Sequence, residues 1–552
     1  MTTMKQPKIL ILGGVALGAG AAAKARRVNE QAEIIVIERG PYVSFANCGL
    51  PYYVGGVIKD RSKLLLHTPE TLKQRFNIDV RVRQEAIFID REHKTVTIRD
   101  GQTGEEYQES YDKLVLATGA KPIVPPLKGI TLDGIFVMRD VPDVDAITDW
   151  IQSHQVKHAV AIGAGFIGLE VVENLVHRGI EVTVVEKAPQ VLPPFDYEMT
   201  ATAMEELEKM GVKVILGDGI TGFAGETTAI AVELESGKSI EADLFIMGLG
   251  VRPDLAIAKQ AGLVVGQTGA LEVNQYLQTS DPDIYSGGDL AEIVHTVHGK
   301  QRWIPLAAAA NKQARIIGIN LFGGNREFHG AQGTSIVKLG DAVLAVTGLT
   351  EKAAKTDGFD FFVSYNIAGH HAGYYPGAQD MVIKLVVERA SGRILGGQIA
   401  GRDGVDKRID VLATAIAAKM TVSDVAELDL AYAPPFSSAK DPIILAAMTA
   451  ENIVVGDVTA IATLDDLPKD INWKILDVRR NDEASHGMLP EAKHIPLDEL
   501  RERIHELDSK TPWVVYCRSG QRSYIASRIL KGYGFEQVFN LSGGYFVQGM
   551  RR

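Results

Sequence analysis

Two stretches of the chain repeat the same order of apolar and polar positions. The first begins with the apolar run KILIL (8–12), continues through a glycine-rich turn and an alanine-rich segment, and ends at Glu38. The second begins with HAVAI (158–162), passes through another glycine turn and an amphipathic segment, and ends at Glu186. A short apolar run bounded by glycine indicates a buried parallel strand, and the mixed segment after it indicates a helix. The pattern therefore predicts two strand–turn–helix–strand units.

The glycines and acids of these units suggest nucleotide binding. Glycines let the backbone approach a pyrophosphate at a helix N-terminus, and an acid after the second strand binds a ribose. The second unit has the spacing G-x-G-x-x-G. The first departs from it, so an ordinary strand–helix–strand unit with a glycine turn is the alternative there. The second acid favours NADH, although Lys187 beside it leaves NADPH open. The predicted dinucleotide-binding residues are Gly13, Gly14, Gly18 and Glu38 in the first unit, and Gly163, Gly165, Gly168 and Glu186 in the second.

Composition narrows the class of protein. The 552 residues suggest three or four domains, and a charged fraction of 23% beside 46% hydrophobic residues argues against disorder. A formal charge of −11 argues against general nucleic-acid binding. The two cysteines, Cys48 and Cys517, cannot make a disulfide framework, so a reducing cytoplasm fits best.

The first apolar run could be taken for a secretory signal, but the pattern continues into a second strand, and no run is long enough to span a membrane. We predict a cytoplasmic protein that acts on small molecules, without a metal site.

Three further motifs accompany the two units, one between them and two after the second. They are DKLVLATGAKP (112–122), ADLFIMGLGVRPD (242–254) and TSDPDIYSGGDLAE (279–292), each an apolar strand that ends in a glycine turn. With these motifs, residues 8–450 resemble the pyridine nucleotide–disulfide oxidoreductase family. The resemblance implies FAD on the first unit, NAD(P)H on the second, and contact of Asp289 with the ribityl and phosphate region of the flavin. Further cofactor contacts are implied at Arg39, Asn47, Thr118, Gly119, Gly250 and Tyr432.

The resemblance also implies a domain organisation of the α/β class. Two Rossmann-like domains are expected, an FAD-binding domain over 1–150 and 275–327 and an NAD(P)H-binding domain over 151–274. An α+β dimerisation domain over 328–455 would form a homodimer and complete the active site of the partner subunit. Its segments GHHAGYYPGA (369–378) and AYAPPFSSAKDP (431–442) carry Tyr374 and Tyr432, for which half-buried packing is the alternative role.

The segment SFANCGLPYYVGG (44–56) contains Cys48 directly after the first unit. Because a helix is expected to begin near Asn47, we expect its N-terminus to lower the pKa of the thiol; an inert buried cysteine is the alternative. Dithiol-reducing members of the family have a second cysteine where this chain has Tyr53. The thiol must therefore react with an external sulfur or with oxygen. The segment resembles single-cysteine coenzyme A disulfide reductases and their persulfide-reducing relatives, whose cousins are NADH oxidases and peroxidases that use a sulfenic acid.

In the coenzyme A enzymes, the residues at several positions that have counterparts in this chain lie along the bound substrate. Cations suit the phosphates of coenzyme A, but a solvated helix face would carry the same charges. Another substrate lysine of these enzymes falls at Phe76, which puts the phosphate contacts there in doubt. Tyr374 and Tyr432 would hydrogen-bond or protonate the leaving sulfur. The implied substrate residues are Gly20, Lys24, Arg27, Ser44, Asn47 and Lys440.

Residues 460–552 resemble a C-terminal α/β rhodanese domain. Its motif VVYCRSGQRS places Cys517 after a buried strand, in a six-residue turn that ends at Arg522 and precedes a helix. Consecutive N–H groups in such a turn hold a thiolate or its persulfide. A related phosphatase loop is one residue longer, so sulfur chemistry is preferred over phosphatase activity or a docking-only domain.

Together these features predict an FAD-dependent, NAD(P)H-consuming reductase of persulfides, polysulfides or coenzyme A disulfide. Cys48 would form the mixed disulfide or persulfide, and Cys517 would handle sulfane sulfur. Two alternatives are an NADH oxidase or peroxidase with a Cys48 sulfenic acid, and a non-catalytic redox sensor or sulfur-carrier module.

Overall fold

The computed structural model describes residues 6–550. They divide into two compact units, which are described separately. The first unit runs to Pro189 and resumes over Met210–Gly333. The second consists of Gln190–Lys209 and the chain from Thr334 onward. Within the described part of the chain, we find no helix with the length and apolar character needed to cross a membrane.

The helices and strands up to residue 260 are short and alternate often. From the start they are β1 (Lys8–Leu12), α1 (Ala16–Val28), β2 (Glu33–Glu38), α2 (Leu50–Val54), α3 (Pro69–Phe76), β3 (Asp79–Val82), β4 (Gln84–Asp90), β5 (Thr95–Asp100), β6 (Glu106–Ser110), β7 (Lys113–Leu116), β8 (Ala120–Pro122), β9 (Ile135–Val137) and α4 (Val141–His154). They continue as β10 (His158–Ile162), α5 (Phe166–His177), β11 (Glu181–Glu186), α6 (Ala201–Lys209), β12 (Lys213–Leu216), β13 (Ile220–Gly225), β14 (Ala229–Leu234), β15 (Ser239–Glu241), β16 (Leu244–Met247), β17 (Val251–Pro253) and α7 (Ala256–Gln260).

The remaining elements include the longest strands. They are β18 (Ile284–Ser286), β19 (Ile293–Val294), β20 (Gln301–Arg302), α8 (Ala307–Asn320), β21 (Ser335–Leu339), β22 (Ala342–Gly348), α9 (Glu351–Thr356), β23 (Phe361–Gly369), β24 (Asp380–Glu388), β25 (Ile394–Gly401), α10 (Val405–Ala417), α11 (Val422–Ala426) and α12 (Pro442–Val454). The last are β26 (Thr459–Ile461), β27 (Lys474–Asp477), α13 (Asn481–Ser485), β28 (Lys493–His494), β29 (Trp513–Tyr516), α14 (Gln521–Gly532), β30 (Val538–Leu541) and α15 (Gly544–Met550).

The first unit contains two five-stranded parallel sheets. Their strand orders are β18-β7-β1-β2-β3 and β12-β11-β10-β16-β9. In each sheet the apolar run detected in the sequence, β1 or β10, lies in the interior and is buried over its last four residues. Such strands are apolar on both faces because helices and loops cover both faces of a parallel sheet. The prediction of two Rossmann-like cores is confirmed.

The second unit contains two different five-stranded sheets. One is antiparallel, in the order β21-β22-β25-β24-β23, and helices α10 and α12 pack against it. The other is parallel, in the order β26-β30-β29-β27-β28. Its strand β29 is buried throughout and delivers Cys517 to the end of the sheet, as the apolar run before that residue predicts.

Candidate active site

The first glycine turn leaves no room for side chains between β1 and α1. Gly13 has a φ of +103°, and a Cβ there would overlap the carbonyl oxygen of Ala117. A Cβ on Gly18 would overlap the carbonyl oxygen of Gly13. The Glu38 carboxylate accepts hydrogen bonds from the backbone N–H groups of Gly14 and Gly40, both at 2.8 Å. Its position is therefore fixed against the turn.

The second glycine turn has the same geometry. Gly163 has a φ of +104°, and the Glu186 carboxylate accepts hydrogen bonds from Ala164 N at 2.8 Å and Ala188 N at 2.7 Å. Apart from its immediate chain neighbours, no heavy atom of the described residues lies within 4 Å of a Cβ placed on Gly165, which leaves that side of the turn open to a ligand. The different glycine spacing of the first unit has not changed the turn, because the strained glycine and the acid keep the same places.

A half-buried acid, Asp289, and a buried amide, Gln313, lie beside Gly288, next to the end of β18. Gln313 Oε1 accepts a hydrogen bond from Gly288 N at 2.7 Å, while Gln313 Nε2 is buried without a hydrogen-bond partner among the described residues. Burial also raises the pKa of the Asp289 carboxyl. An amide donor and a carboxyl acceptor in this place fit the hydroxyl and phosphate groups of FAD, as the position of Asp289 in the sequence predicts.

Several predicted cofactor residues meet at Asp254, which the sequence prediction did not include. Arg39 Nη1 lies 3.0 Å from its Oδ2, Thr118 Oγ1 donates to its carbonyl oxygen at 3.0 Å, and its backbone N–H donates to Gly119 O at 2.9 Å. Burial would raise the pKa of Asp254, but hydrogen bonds and charge from Lys121 and Arg39 outweigh it and lower the pKa.

Gly250 lies four residues before Asp254 in the sequence. It has a φ of +92°, and its carbonyl oxygen accepts a hydrogen bond from Ile123 N at 2.9 Å. Asp254 could have been identified from the sequence, because it ends the motif ADLFIMGLGVRPD.

Cys48 is exposed and lies in a 3₁₀ turn over Asn47–Gly49 that leads into α2. Ser44, four residues earlier, has a φ of +48° and donates its backbone N–H to Gly14 O at 2.8 Å. The glycine turn and the cysteine segment are therefore in direct contact. Asn47 is exposed beside the thiol, as a residue that meets a ligand would be.

The expected lowering of the Cys48 pKa is wrong. Cys48 reaches the surface, but the protein around it partly desolvates the thiol and so raises its pKa, and the negative charges of Glu170 and Asp289 raise it further. Helix α2 has only five residues, so it offers little dipole to oppose these effects. Burial, and then the charge of Glu173, raises the pKa of Glu170 itself to about 7. Glu170 was missed, although it stands two residues after the last glycine of GAGFIG.

The predicted substrate residues of α1 differ in their packing and their exposure. Gly20 packs against α8, where its Cβ would lie 2.9 Å from Ala314 Cβ. Lys24 is half-buried and packs against Gly318, whereas Arg27 is exposed. The buried cation of this helix is Arg26, which donates to the carbonyl oxygens of Phe76 and Asn77 at 2.8 and 2.9 Å. Lys440 is exposed just before α12 in the second unit.

The two predicted tyrosines of the second unit are brought together. Tyr374 Oη lies 2.8 Å from Tyr432 Oη, and the side chains are 76% and 47% exposed. The hydrogen bond with Tyr374 raises the pKa of Tyr432. The exposure argues against the alternative of half-buried packing. Phe436 is also exposed, so this region presents aromatic surface.

A buried arginine holds the two segments that carry these tyrosines, which we call the tyrosine loops (370–379 and 431–441). Arg408 binds the Asp441 carboxylate through Nη2 at 2.8 Å and Nε at 3.2 Å. The same guanidinium donates to His370 O at 2.8 Å and Ser437 Oγ at 3.1 Å. Arg408 thus contacts both loops.

Cys517 is fully buried, two neutral donors contact its sulfur, and the Arg522 guanidinium interacts with it as well. Gly520 N lies 3.1 Å and Ser523 Oγ 3.6 Å from Sγ. Arg522 ends this turn, and its guanidinium binds the Glu483 carboxylate at 2.5 and 2.7 Å. The predicted nest of donors around the sulfur is present, but Glu483 was not identified from the sequence.

A group of three carboxylates lies elsewhere in the second unit. Asp196, Glu198 and Glu351 have oxygen atoms close enough together to hold a metal ion. Lys384 Nζ lies among them, at 2.8, 2.5 and 2.6 Å. Lys384 therefore supplies the positive charge that these acids need.

Comparison with known proteins agrees with this arrangement. Residues 7–314 match the pyridine nucleotide-disulphide oxidoreductase family, residues 334–442 its dimerisation domain, and residues 460–547 the rhodanese-like domain. The chain superposes on the crystal structure of reduced Bacillus anthracis CoADR-RHD with a TM-score of 0.96 and 45% identity, covering 99% of this chain and 98% of the other. For an NAD-dependent persulfide reductase from A. fulgidus the TM-score is 0.91, with 40% identity and coverage of 98% and 99%.

A curated relative from Pyrococcus furiosus, named NAD(P)H sulfur oxidoreductase (CoA-dependent), is 38% identical over 445 residues. The match covers 80% of this chain and 99% of the relative. The chain belongs to the pyridine nucleotide-disulphide oxidoreductase family, whose enzymes use FAD and NAD(P)H, and it carries a rhodanese-like domain in addition.

Proposed function

We propose that this enzyme uses NADH, with NADPH as a second donor, to reduce the sulfur–sulfur bond of a coenzyme A persulfide, coenzyme A disulfide or polysulfide. The observation that carries the proposal is the exposed Cys48, in the segment that contacts the first glycine turn through Ser44, in a chain whose other cysteine, Cys517, belongs to the rhodanese-like domain. A thiol without a resolving partner must receive the second sulfur from its substrate. The names of the relatives from A. fulgidus and P. furiosus support the same chemistry.

The reaction starts at the Cys48 thiolate. It attacks the outer sulfur of a persulfide, a new S–S bond forms at Cys48, and the donor leaves as a thiolate with the electron pair of the broken bond. NADH supplies two electrons and a proton equivalent, which release hydrogen sulfide and restore the Cys48 thiolate. FAD, when bound, provides the electron relay between nicotinamide and sulfur. The first glycine turn, Asp289 and Gln313 would hold it, and the second turn with Glu186 would hold the nicotinamide dinucleotide.

We propose a homodimer in which Tyr374 and Tyr432 of one subunit face Cys48 of the other. Their exposure and mutual hydrogen bond support this role, because a hydroxyl pair can donate a proton to a leaving sulfur. Lys24, Arg27 and Lys440 would contact the phosphates of coenzyme A. The free thiols are consistent with a reducing, cytoplasmic setting.

Cys517 would accept or present sulfane sulfur as a persulfide. Its sulfur already has two donors, Gly520 N and Ser523 Oγ, that suit a thiolate or persulfide anion.

The test compares the wild type with the single variants Cys48→Ser and Cys517→Ser. NADH oxidation and sulfide release are measured without oxygen, with coenzyme A persulfide, coenzyme A disulfide and polysulfide as substrates. We expect Cys48→Ser to abolish turnover and Cys517→Ser to spare coenzyme A disulfide reduction. Full activity of Cys48→Ser would refute the mechanism. Fast turnover with oxygen or peroxide and slow turnover with every sulfur substrate would instead favour the oxidase or peroxidase.

A further inference from the structure

The turn over residues 517–522, which we call the Cys517 loop, contains two arginines, and each is bound to a carboxylate from outside the loop. Arg522 makes a two-point ion pair with Glu483, with Nη1–Oε2 at 2.5 Å and Nη2–Oε1 at 2.7 Å. Arg518 Nη2 lies 3.1 Å from Asp380 Oδ2. Glu483 comes from α13, and Asp380 is the first residue of β24 in the antiparallel sheet. Both positive charges of the loop are therefore neutralised within the chain.

The two pairs differ in strength. The Arg522 and Glu483 side chains are 28% and 17% exposed, whereas Arg518 and Asp380 are both about half exposed. A shielded, two-point pair between guanidinium and carboxylate is among the stronger charge interactions in proteins, whereas an exposed single contact contributes little. The contact with Arg522 lowers the pKa of Glu483 to about 2, so Glu483 remains ionised at neutral pH. Glu483 is thus the main source of neutralisation.

Two neutral donors contact the Cys517 sulfur, Gly520 N at 3.1 Å and Ser523 Oγ at 3.6 Å. Arg522 also interacts with this sulfur, because Glu483 first and then Cys517 raise the pKa of its guanidinium, but its charge is already paired with the Glu483 carboxylate. Arg479, a buried cation of the same domain, is bound by Asp477 at 2.7 Å. Backbone and hydroxyl donors satisfy a single negative charge, but a dianion beside a thiolate needs an unneutralised cation.

We propose that Glu483, with a smaller contribution from Asp380, sets the donor class of the Cys517 loop. The loop takes sulfane sulfur from organic persulfides, whose sulfur end carries a single negative charge, and discriminates against thiosulfate, whose two charges lie at the sulfur to be transferred. This inference rests on the proposed role of Cys517 in sulfur transfer. Glu483 acts by neutralising Arg522 and is a positioning residue that does not touch the sulfur.

The two reactions balance without an oxidant. The Cys517 thiolate attacks the terminal sulfur of the persulfide, the Cys517 persulfide forms, and the organic thiolate leaves with the electron pair of the broken S–S bond. With thiosulfate the same attack expels sulfite, which leaves with two negative charges. When thiosulfate is bound, the Cys517 thiolate and the dianion together place three negative charges beside the loop. When a persulfide is bound, the thiolate and the persulfide sulfur place two charges there. A loop whose arginines are neutralised therefore disfavours thiosulfate more strongly.

The experiment uses the full-length protein with cyanide as the sulfur acceptor, and measures thiocyanate formed from glutathione persulfide or from thiosulfate. The variants are Glu483→Gln and Asp380→Asn. The matched control is Glu506→Gln, which removes the same charge from a carboxylate bound by Arg503 at 2.6 Å and Lys493 at 3.2 Å, both outside the loop. The readout is the ratio of kcat/KM for the two donors, which a general loss of folded protein would not change.

We expect the wild type and Glu506→Gln to prefer the persulfide. Glu483→Gln should raise the relative use of thiosulfate roughly tenfold, and Asp380→Asn by about two- to threefold, in line with the exposure of each pair. A wild type that uses both donors equally, or a ratio unchanged in Glu483→Gln, would overturn the proposal. So would loss of both activities in Glu483→Gln, since Glu483 would then serve only the loop's structure. If Cys517→Ser retains wild-type activity with the persulfide, the proposed role of Cys517 in sulfur transfer is refuted, regardless of the result for Glu483→Gln.

Discussion

Replacing Arg408 by methionine should loosen both tyrosine loops at once. Arg408 and Asp441 are 1% and 2% exposed, and the guanidinium also donates to His370 O in one loop and Ser437 Oγ in the other. Methionine fills much of the arginine volume but provides neither charge nor donors. The substitution would leave the Asp441 carboxylate buried without its main partner.

The size of the effect follows from the burial of the pair. Removing one partner of a buried ion pair costs about 3–5 kcal/mol, because the remaining charge stays desolvated. Three hydrogen bonds to other loop atoms, His370 O, Phe436 O and Ser437 Oγ, are lost as well, each with a net contribution of about 1 kcal/mol or less. Burial would raise the pKa of Asp441, yet the hydrogen bonds and charge of Arg408 and Ser437 lower it, so the pair is stabilising at neutral pH. We expect the loss to be concentrated in the loops.

Hydrogen exchange of the holoenzyme measures this loss locally, which suits a protein of several domains. The informative amide is that of Ala372, which donates to Ser437 O at 3.1 Å and so joins the two loops. A local loss of about 3 kcal/mol or more corresponds to roughly a hundredfold faster exchange. The matched control is Arg389→Met, because Arg389 binds Asp360 at 3.0 Å but is 56% exposed.

The control should change the exchange of Ala372 by less than about threefold, as expected for an exposed pair. The double variant Arg408→Met with Asp441→Asn should recover part of the protection, since it removes the unpaired charge. If Arg408→Met exchanges at Ala372 no faster than Arg389→Met, the assignment of Arg408 as the residue that holds both loops is refuted.

Three further predictions concern other sites. Tyr374→Phe and Tyr432→Phe should each lower kcat about ten- to a hundredfold with the dimer and the flavin retained, and an unchanged kcat would contradict proton donation by this pair. Lys384→Met should lower the free energy of unfolding in urea by about 3–5 kcal/mol, because three carboxylates lose their shared cation. Glu170→Gln should lower the pKa of Cys48, most clearly above pH 7 where Glu170 is ionised. The pH dependence of the rate of iodoacetamide labelling at Cys48 measures this pKa. A pH profile identical to that of the wild type would exclude Glu170 as a cause of the shift.

The sequence predicts well those features that depend on neighbouring residues. The strands that end at Glu38 and Glu186 were foreseen because a buried parallel strand is apolar at every position and a glycine turn follows it. The Cys517 loop was foreseen for the same reason, since strand, turn and helix are contiguous. The departure of the first glycine spacing had little effect, because Gly13 and Gly163 have almost the same φ of +103° and +104°.

Contacts between residues distant in sequence could not be predicted in this way. Arg408 lies 33 positions from Asp441, and nothing local distinguishes it from an exposed arginine of an amphipathic helix. Arg522 lies 39 positions from Glu483. The expected direction of the Cys48 pKa shift is wrong for the same reason, because the sequence shows a local helix start but neither the desolvation of the thiol by distant segments nor the charges of Glu170 and Asp289.

The raised pKa of Cys48 has a consequence for an enzyme without a resolving cysteine. When an external thiol attacks a mixed disulfide, the sulfur that leaves is preferentially the one with the lower pKa. A raised pKa makes Cys48 a poorer leaving group than an unperturbed cysteine, so we expect thiol exchange to replace the small-molecule partner more often and to leave Cys48 bonded. We expect the proposed intermediate to survive in this way until electrons from NADH reduce it, at the cost of a smaller thiolate fraction in the free enzyme. Glu170→Gln should therefore speed the release of Cys48 from a coenzyme A mixed disulfide by glutathione, measured by intact mass without NADH. An unchanged or slower release would contradict this explanation.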